Sequence, residues 1–168
     1  KMEKEGKSII LMCSHYASYE WLVIINGYTT FRAFGVYKKI KNKHFDNLVR
    51  KTRGKFGGTL ISSKEIVEKI KENEKNNILG YYGFVSDQSP RIRTYFTRFF
   101  GVTVPVYTGA EYLAKKFDMN VMFLKSTKIK RGYYSARFIE LERPLSTYPD
   151  YAVTDTFLAL LEDQIREA

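Results

Sequence analysis

Short apolar runs that suit buried strands alternate with stretches of helical period along the first two-thirds of the chain, and this alternation limits the fold to a sheet covered by helices. Residues 8–15, SIILMCSH, read as a buried strand, and Ser18 is placed to cap a helix running through EWLVIINGY. A second strand is expected in FRAFGVYKK (31–39). It precedes a helix in HFDNLVRKTRGKF (44–56), with apolar Phe45, Leu48, Val49 and Phe56 and a Gly57-Gly58 stop. TLIS is a short strand, SKEIVEKIKENEKN (63–76) an amphipathic helix with apolar Ile66, Val67 and Ile70, and ILGYYGFVSD (78–87) a strand ended by Asp87-Gln88-Ser89-Pro90. After an extended YFTRFFGVTVPV come a helix over about 108–117 and two strand-like runs within 121–144 that turn at Lys130-Arg131-Gly132. A last helix spans about 150–165. The expected class is α/β, a single domain with a mixed, largely parallel β-sheet flanked by helices.

A chain of 168 residues fits one domain with a sizeable core. Its 28 Lys and Arg against 18 Asp and Glu give +10, which favours anionic partners: nucleic acid, lipid headgroups, phosphorylated substrates or an acidic carrier. The single cysteine, Cys13, has no internal disulfide partner, which suits a reducing compartment, and two histidines with one cysteine make a structural zinc site a poor expectation. The longest apolar runs are five residues, as in Trp21–Ile25, against the roughly 20 needed to span a bilayer. The chain opens at Lys1 and closes at Arg166-Glu167-Ala168 with no helix stop, so it is expected to be part of something longer.

The stretch CSHYASYEW holds His15 and, five residues on, Glu20. On one continuous helix that spacing sets the two side chains about 140° apart, out of contact. If His15 instead ends a strand and Ser18 caps a helix, Glu20 falls in the first turn. There the dipole favours its ionised form and the chain can fold back to the imidazole. A carboxylate on one ring nitrogen leaves the other free to take a proton from a hydroxyl. The competing reading is structural, a histidine filling space at a strand end. Two nucleophiles are also conceivable, Cys13 on the same strand face as His15 and Ser18 in a pseudo-triad. But Cys13 lies in an apolar run, and Ser18 lacks a glycine-flanked elbow.

The order of motifs resembles the lipid A biosynthesis acyltransferase family of the lysophospholipid acyltransferase-like superfamily. HYASYE matches that family's His, four residues, then Asp or Glu. VYKKIKN, LVRKTRGKFGGTLI, VSDQSP, RFFGV and YTGAEYLAKK follow in the family's order, covering residues 9 to about 145. The resemblance implies an acyltransferase-like fold over 1–168, a core cropped at both ends, so that the isolated piece can fold yet be inactive. It implies O-acyl transfer from an acyl thioester, on acyl carrier protein or coenzyme A, to a phosphorylated glycolipid acceptor such as a lipid A precursor. His15 is then the general base and Glu20 its partner, with no covalent acyl-enzyme and no cofactor, and Lys38, Arg53 and Asp87 fall at charged substrate-binding positions. The family's arginine after Tyr37 is Lys38 here, which keeps the charge but loses a two-pronged fork. The proline before Asp87 is replaced by Ser86. The implied place of work is an anionic membrane surface, the cytoplasmic face of the bacterial inner membrane, reached through an anchor outside this chain.

The alternative is a basic nucleic-acid-binding domain in which aromatics interleaved with cations, as in RIRTYFTRFF, stack bases. Most of these aromatics fall in strand-like runs that suit a core, and nucleic acid is not the expected partner.

Overall fold

The computed structural model describes residues 5–141 and 144–168. Strand β1 (Ile9–Cys13) leads through a 3₁₀ segment (Tyr19–Tyr28) to β2 (Arg32–Tyr37), and helix α1 (Lys43–Arg53) to β3 (Thr59–Ser62). Helix α2 (Ile66–Lys75) leads to β4 (Gly80–Val85), then a hairpin of β5 (Phe96–Phe99) and β6 (Val102–Pro105) and helix α3 (Gly109–Lys116). Strands β7 (Asn120–Lys130) and β8 (Tyr133–Glu140) and helix α4 (Ala152–Arg166) complete the chain. Six strands form one sheet in the order β3-β2-β4-β1-β7-β8, parallel except for the β7/β8 hairpin, while β5 and β6 pair only with each other. This is the expected α/β class. Residues 142 and 143, the end of the run read as strand-like, lie outside the described residues.

All five residues of β1 are buried, so its IILMC run needs cover on both faces. On one face Ile10, Met12, Phe34, Tyr82, Val121 and Phe123 form the main core with Ile66 and Ile70 of α2, Leu113 of α3 and Phe157 and Leu161 of α4. The Tyr82 hydroxyl there accepts from Asn73 Nδ2 at 2.8 Å, which satisfies two buried polar groups. The opposite face carries the smaller cluster of Leu11, Cys13 and Leu124, roofed by Leu22 and Ile25 of the 3₁₀ segment.

Two local expectations change. The segment after Ser18 is 3₁₀ rather than α-helical, and the Ser18 side chain makes no cap bond, although its carbonyl accepts from Trp21 N at 2.9 Å. Val23, Ile24 and Ile25 are three β-branched residues in succession, which costs an α-helix side-chain freedom. Helix α1 also presents its apolar stripe outward: Phe45 is 61% exposed and Leu48 58%. It docks through a polar anchor instead. Asp46, the one buried residue of α1, accepts from Ile40 N at 2.9 Å and from the Tyr37 hydroxyl at 3.2 Å. Beyond α1, Gly57 turns the chain at φ 85°, a left-handed conformation that suits glycine.

Asp46 thus ties the end of β2 to α1. Replacing it with alanine leaves the part-buried Ile40 N–H and the buried Tyr37 hydroxyl without their acceptor and should lower unfolding free energy by about 1–3 kcal/mol, read by urea denaturation. No loss of stability would mean that α1 is held by other contacts.

Candidate active site

The site lies at the carboxyl ends of the central strands, where open α/β sheets place ligands. Cys13 of β1 pairs with Val85 of β4, and Ser86 N donates to Cys13 O at 3.0 Å, so the parallel ladder runs past both strand ends. His15 and Asp87 are each two residues beyond that paired couple and emerge side by side. Asp87 Oδ2 accepts from the His15 backbone N–H at 2.9 Å, and Oδ1 lies 2.6 Å from the imidazole Nδ1. Such a carboxylate holds the proton on Nδ1 and leaves the Nε2 lone pair free. The ring is steadied by an edge-on contact with Tyr19, centroids 4.7 Å apart. Between them Ala17 takes a left-handed φ of 52°, which lets the chain turn sharply out of β1.

Glu20 does not take the imidazole. Its carboxylate receives both prongs of the Arg53 guanidinium, Nε at 2.8 Å from Oε2 and Nη2 against Oε1, in the planar fork that arginine makes with carboxylates. The expected His15–Glu20 contact is therefore replaced by two pairs, His15 with Asp87 and Glu20 with Arg53. The reason is geometric. In the 3₁₀ segment Glu20 points toward the end of α1, whereas sheet pairing has already delivered Asp87 to the histidine. Arg53 chiefly, with the Tyr19 hydroxyl and His15 adding, holds the Glu20 carboxyl below the ordinary carboxylate value against an opposing effect of burial.

These side chains open onto a cavity of about 630 Å³ whose walls include His15, Tyr19, Glu20, Lys38 and Arg53. Asp87 is not in the wall. It backs the imidazole from outside, so the ring alone faces the cavity. Beyond the polar mouth the lining is apolar: Leu11, Cys13, Leu22, Val85 and Leu124 under the 3₁₀ segment. On that face Gly83 of β4 leaves a slot in the floor, a Cβ there meeting nothing nearer than Phe34 O, whereas the space over its paired neighbour Gly35 of β2 is taken by Leu60 Cδ2. Cys13 is no nucleophile here. Burial first, and the Asp87 charge second, push its thiol up to about 12, so it stays protonated, its Sγ directed at Phe84 O 3.5 Å away. Among the described residues no hydrogen bond joins the Ser18 side chain to His15 or Asp87. Among the described residues no group of three or more His, Cys, Asp or Glu could hold a metal ion.

The whole chain, residues 1–168, matches the model of one family, described as bacterial lipid A biosynthesis acyltransferase. The protein belongs to the lipid A biosynthesis acyltransferases. No curated protein matches it at a significant level. Membership in this acyltransferase family supports acyl transfer as the activity, and an imidazole with one nitrogen tethered and one facing an apolar cavity suits it. In this acyltransferase two aromatics of the RIRTYFTRFF stretch are structural: Tyr95 stacks on Tyr151 with centroids 4.0 Å apart and donates to Asp155 at 2.8 Å, and Phe99 packs on the main core. The pairing of Asp87 with His15 had no local signal in the sequence, because it depends on which strands are neighbours.

The Glu20–Arg53 clamp carries a pH signature. With its folded value below the ordinary one, Glu20 adds stability that is complete above the unfolded value and lost as pH falls through the folded one. Half-exposed as it is, the pair should contribute at most about 1 kcal/mol. Urea denaturation should therefore separate wild type from Glu20→Gln at pH 7 and merge the two once pH falls below the folded value of Glu20. A gap that persists in acid would rule out the clamp as its source.

Proposed function

We propose that this protein is an O-acyltransferase that moves a fatty acyl group from an acyl thioester, on acyl carrier protein or coenzyme A, to a hydroxyl of a lipid A precursor or a related glycolipid. One observation carries the reading: a carboxylate 2.6 Å from Nδ1 of a histidine whose ring sits in the wall of an apolar cavity. His15 Nε2 takes the proton of the acceptor hydroxyl as its oxygen attacks the thioester carbonyl. The C–O bond forms and the carbonyl electron pair moves onto oxygen. When the tetrahedral oxyanion collapses the C–S bond breaks, and the departing thiolate takes the proton back from Nε2. Asp87 keeps the ring in the tautomer and orientation for both transfers. Lys38, a cation in the cavity wall, favours the negative charge that develops on oxygen. The sequence of steps uses no covalent acyl-enzyme, metal or organic cofactor.

Glu20 acts here at one remove. With Arg53 it fastens the 3₁₀ segment to α1, and that segment roofs the slot over Gly83, which would take the acyl chain. The working position is the anionic cytoplasmic face of the bacterial inner membrane. Among the described residues no helix is long and apolar enough to cross a membrane. Exposed Trp21, Ile24 and Tyr28 on the 3₁₀ segment and Phe45 and Leu48 on α1, on a chain of net charge +10, suit contact with lipid headgroups.

In the full-length protein His15→Ala should lower kcat by about 10²- to 10⁴-fold, and Asp87→Asn by about 10²-fold or more. Glu20→Gln should cost less than about tenfold, since its partner is a cation away from the reacting atoms. Activity of His15→Ala near wild type would end this mechanism. An Asp87→Asn variant more active than Glu20→Gln would return the partner role to Glu20.

The slot makes a separate prediction. A Cβ on Gly83 meets nothing nearer than Phe34 O at 3.7 Å, so a side chain can be added there without a clash at its first atom. Gly83→Leu should fold, keep turnover with short-chain thioesters and lose it with long ones, as measured across a donor series. Unchanged chain-length preference would place the acyl chain elsewhere.

A further inference from the structure

Next to the cavity at His15 lies a second of about 870 Å³, and the two share Lys38 and Ser63 in their walls. Three separate pieces of chain build it. Lys38, Lys39, Lys41 and Lys43 come from the end of β2 and the start of α1, Lys64 from the β3–α2 connection, and Arg91 from the segment after β4. None of these six cations forms a salt bridge with any described residue. Some lysines elsewhere meet carboxylates, as Lys115 does with Glu111 at 2.9 Å.

The acids in this second wall do little to offset the charge. Asp46 is buried and committed to Ile40 N and Tyr37, and Glu65 is the remaining carboxylate. Gathering like charges from three chain segments around one hollow raises the free energy of the fold, and an anion placed there removes that cost. The shape narrows the choice of anion. A concave space within the roughly 300–1,000 Å³ range of small-ligand sites fits an inserted group better than a flat bilayer or a protein surface. Ile40 is its one large apolar side chain, so it is not a place for hydrocarbon.

We infer that this basic hollow seats a phosphate group carried by one of the two substrates, which orients that substrate toward His15 through the shared wall at Lys38 and Ser63. The inference rests on the acyl-transfer reading. Phosphate is common to a phosphorylated glycolipid acceptor and to the phosphopantetheine arm of a thioester donor. Lysines meet it as mobile point charges and Arg91 can meet it with two parallel N–H groups. Binding of this kind weakens as salt rises, because the charges are exposed.

The test uses the full-length protein and the double variant Lys64→Ala/Arg91→Ala, both exposed and both apart from the groups assigned to the chemistry. One KM should rise at least tenfold at low salt, with kcat within twofold of wild type and thermal unfolding unchanged. If it is the acceptor KM, and the difference vanishes with a dephosphorylated acceptor, the phosphate is the headgroup's. If it is the donor KM, the phosphate is the phosphopantetheine arm's. Two unchanged KM values overturn the proposal. A second measurement is independent of turnover: NMR titration with glucose 1-phosphate should shift amides at 38–43, 62–65 and 91, with glucose itself inert and the variant at least threefold weaker. Equal response to both sugars, or equal response of wild type and variant, overturns it as well. A protein that transfers no acyl group yet passes the titration would refute the acyl-transfer reading and leave the phosphate site standing.

Discussion

Parallel hydrogen bonding of β1 to β4 is what the candidate site depends on. These strands are neighbours at the centre of the sheet although they are about 70 residues apart in the chain, and their register pairs Cys13 with Val85. Each then runs two residues past that pair, so His15 and Asp87 arrive at the same level and the same edge. A slip of one residue would turn one side chain to the opposite face and part the imidazole from its carboxylate. The register is secured by the core beneath it: Ile10 and Met12 on one face and Leu11 on the other are each 5% exposed or less, and a slip would exchange them. The packing that stabilises the domain is in this way also the device that aligns the candidate base.

The two faces of the sheet are covered differently, and the difference separates stability from binding. One has three amphipathic helices over large aliphatic and aromatic side chains, packed as a core is packed. The other has a 3₁₀ segment with no fully buried residue, resting on a small cluster and on a floor thinned by Gly83. Ten residues is long for 3₁₀ geometry, which holds its hydrogen bonds poorly. The Glu20–Arg53 fork compensates by tethering the segment to α1 from the side. Cover held by one charged clamp and a few apolar contacts is suited to lie over a ligand slot; cover held like the helical face is not.

Charge is divided with similar effect. Pairs such as Lys69 with Glu72 and Lys71 with Glu68 neutralise the helix surface locally. One group of cations collects beside the site, where Asp46, turned inward to hold β2 and α1 together, cannot offset them. Part of the net +10 thus lies where an anionic substrate would approach, and the aromatic and aliphatic side chains left outside on α1 and the 3₁₀ segment lie on elements that border the same cavity.

The sequence by itself determined the strands, most of the helices and the α/β class, because period and turn chemistry are local properties carried by residues close in the chain. It also marked His15 and Glu20, by a strand end followed by a turn, and Lys38, Arg53 and Asp87 through the resemblance of its motifs to a family. It did not pair them. The five-residue spacing from His15 to Glu20 suggested one couple, and the fold made two others, because contact between an imidazole and a carboxylate is decided by strand neighbours rather than by chain distance. The same limit hid the outward turn of Phe45 and Leu48, where one buried acceptor at Asp46 outweighed the apolar stripe. It also hid the hollow in which Lys64 and Arg91 join the lysines that follow Tyr37. Only the tertiary structure could bring these residues together, since the backbone hydrogen bonds and side-chain packing that do so link residues from distant parts of the chain.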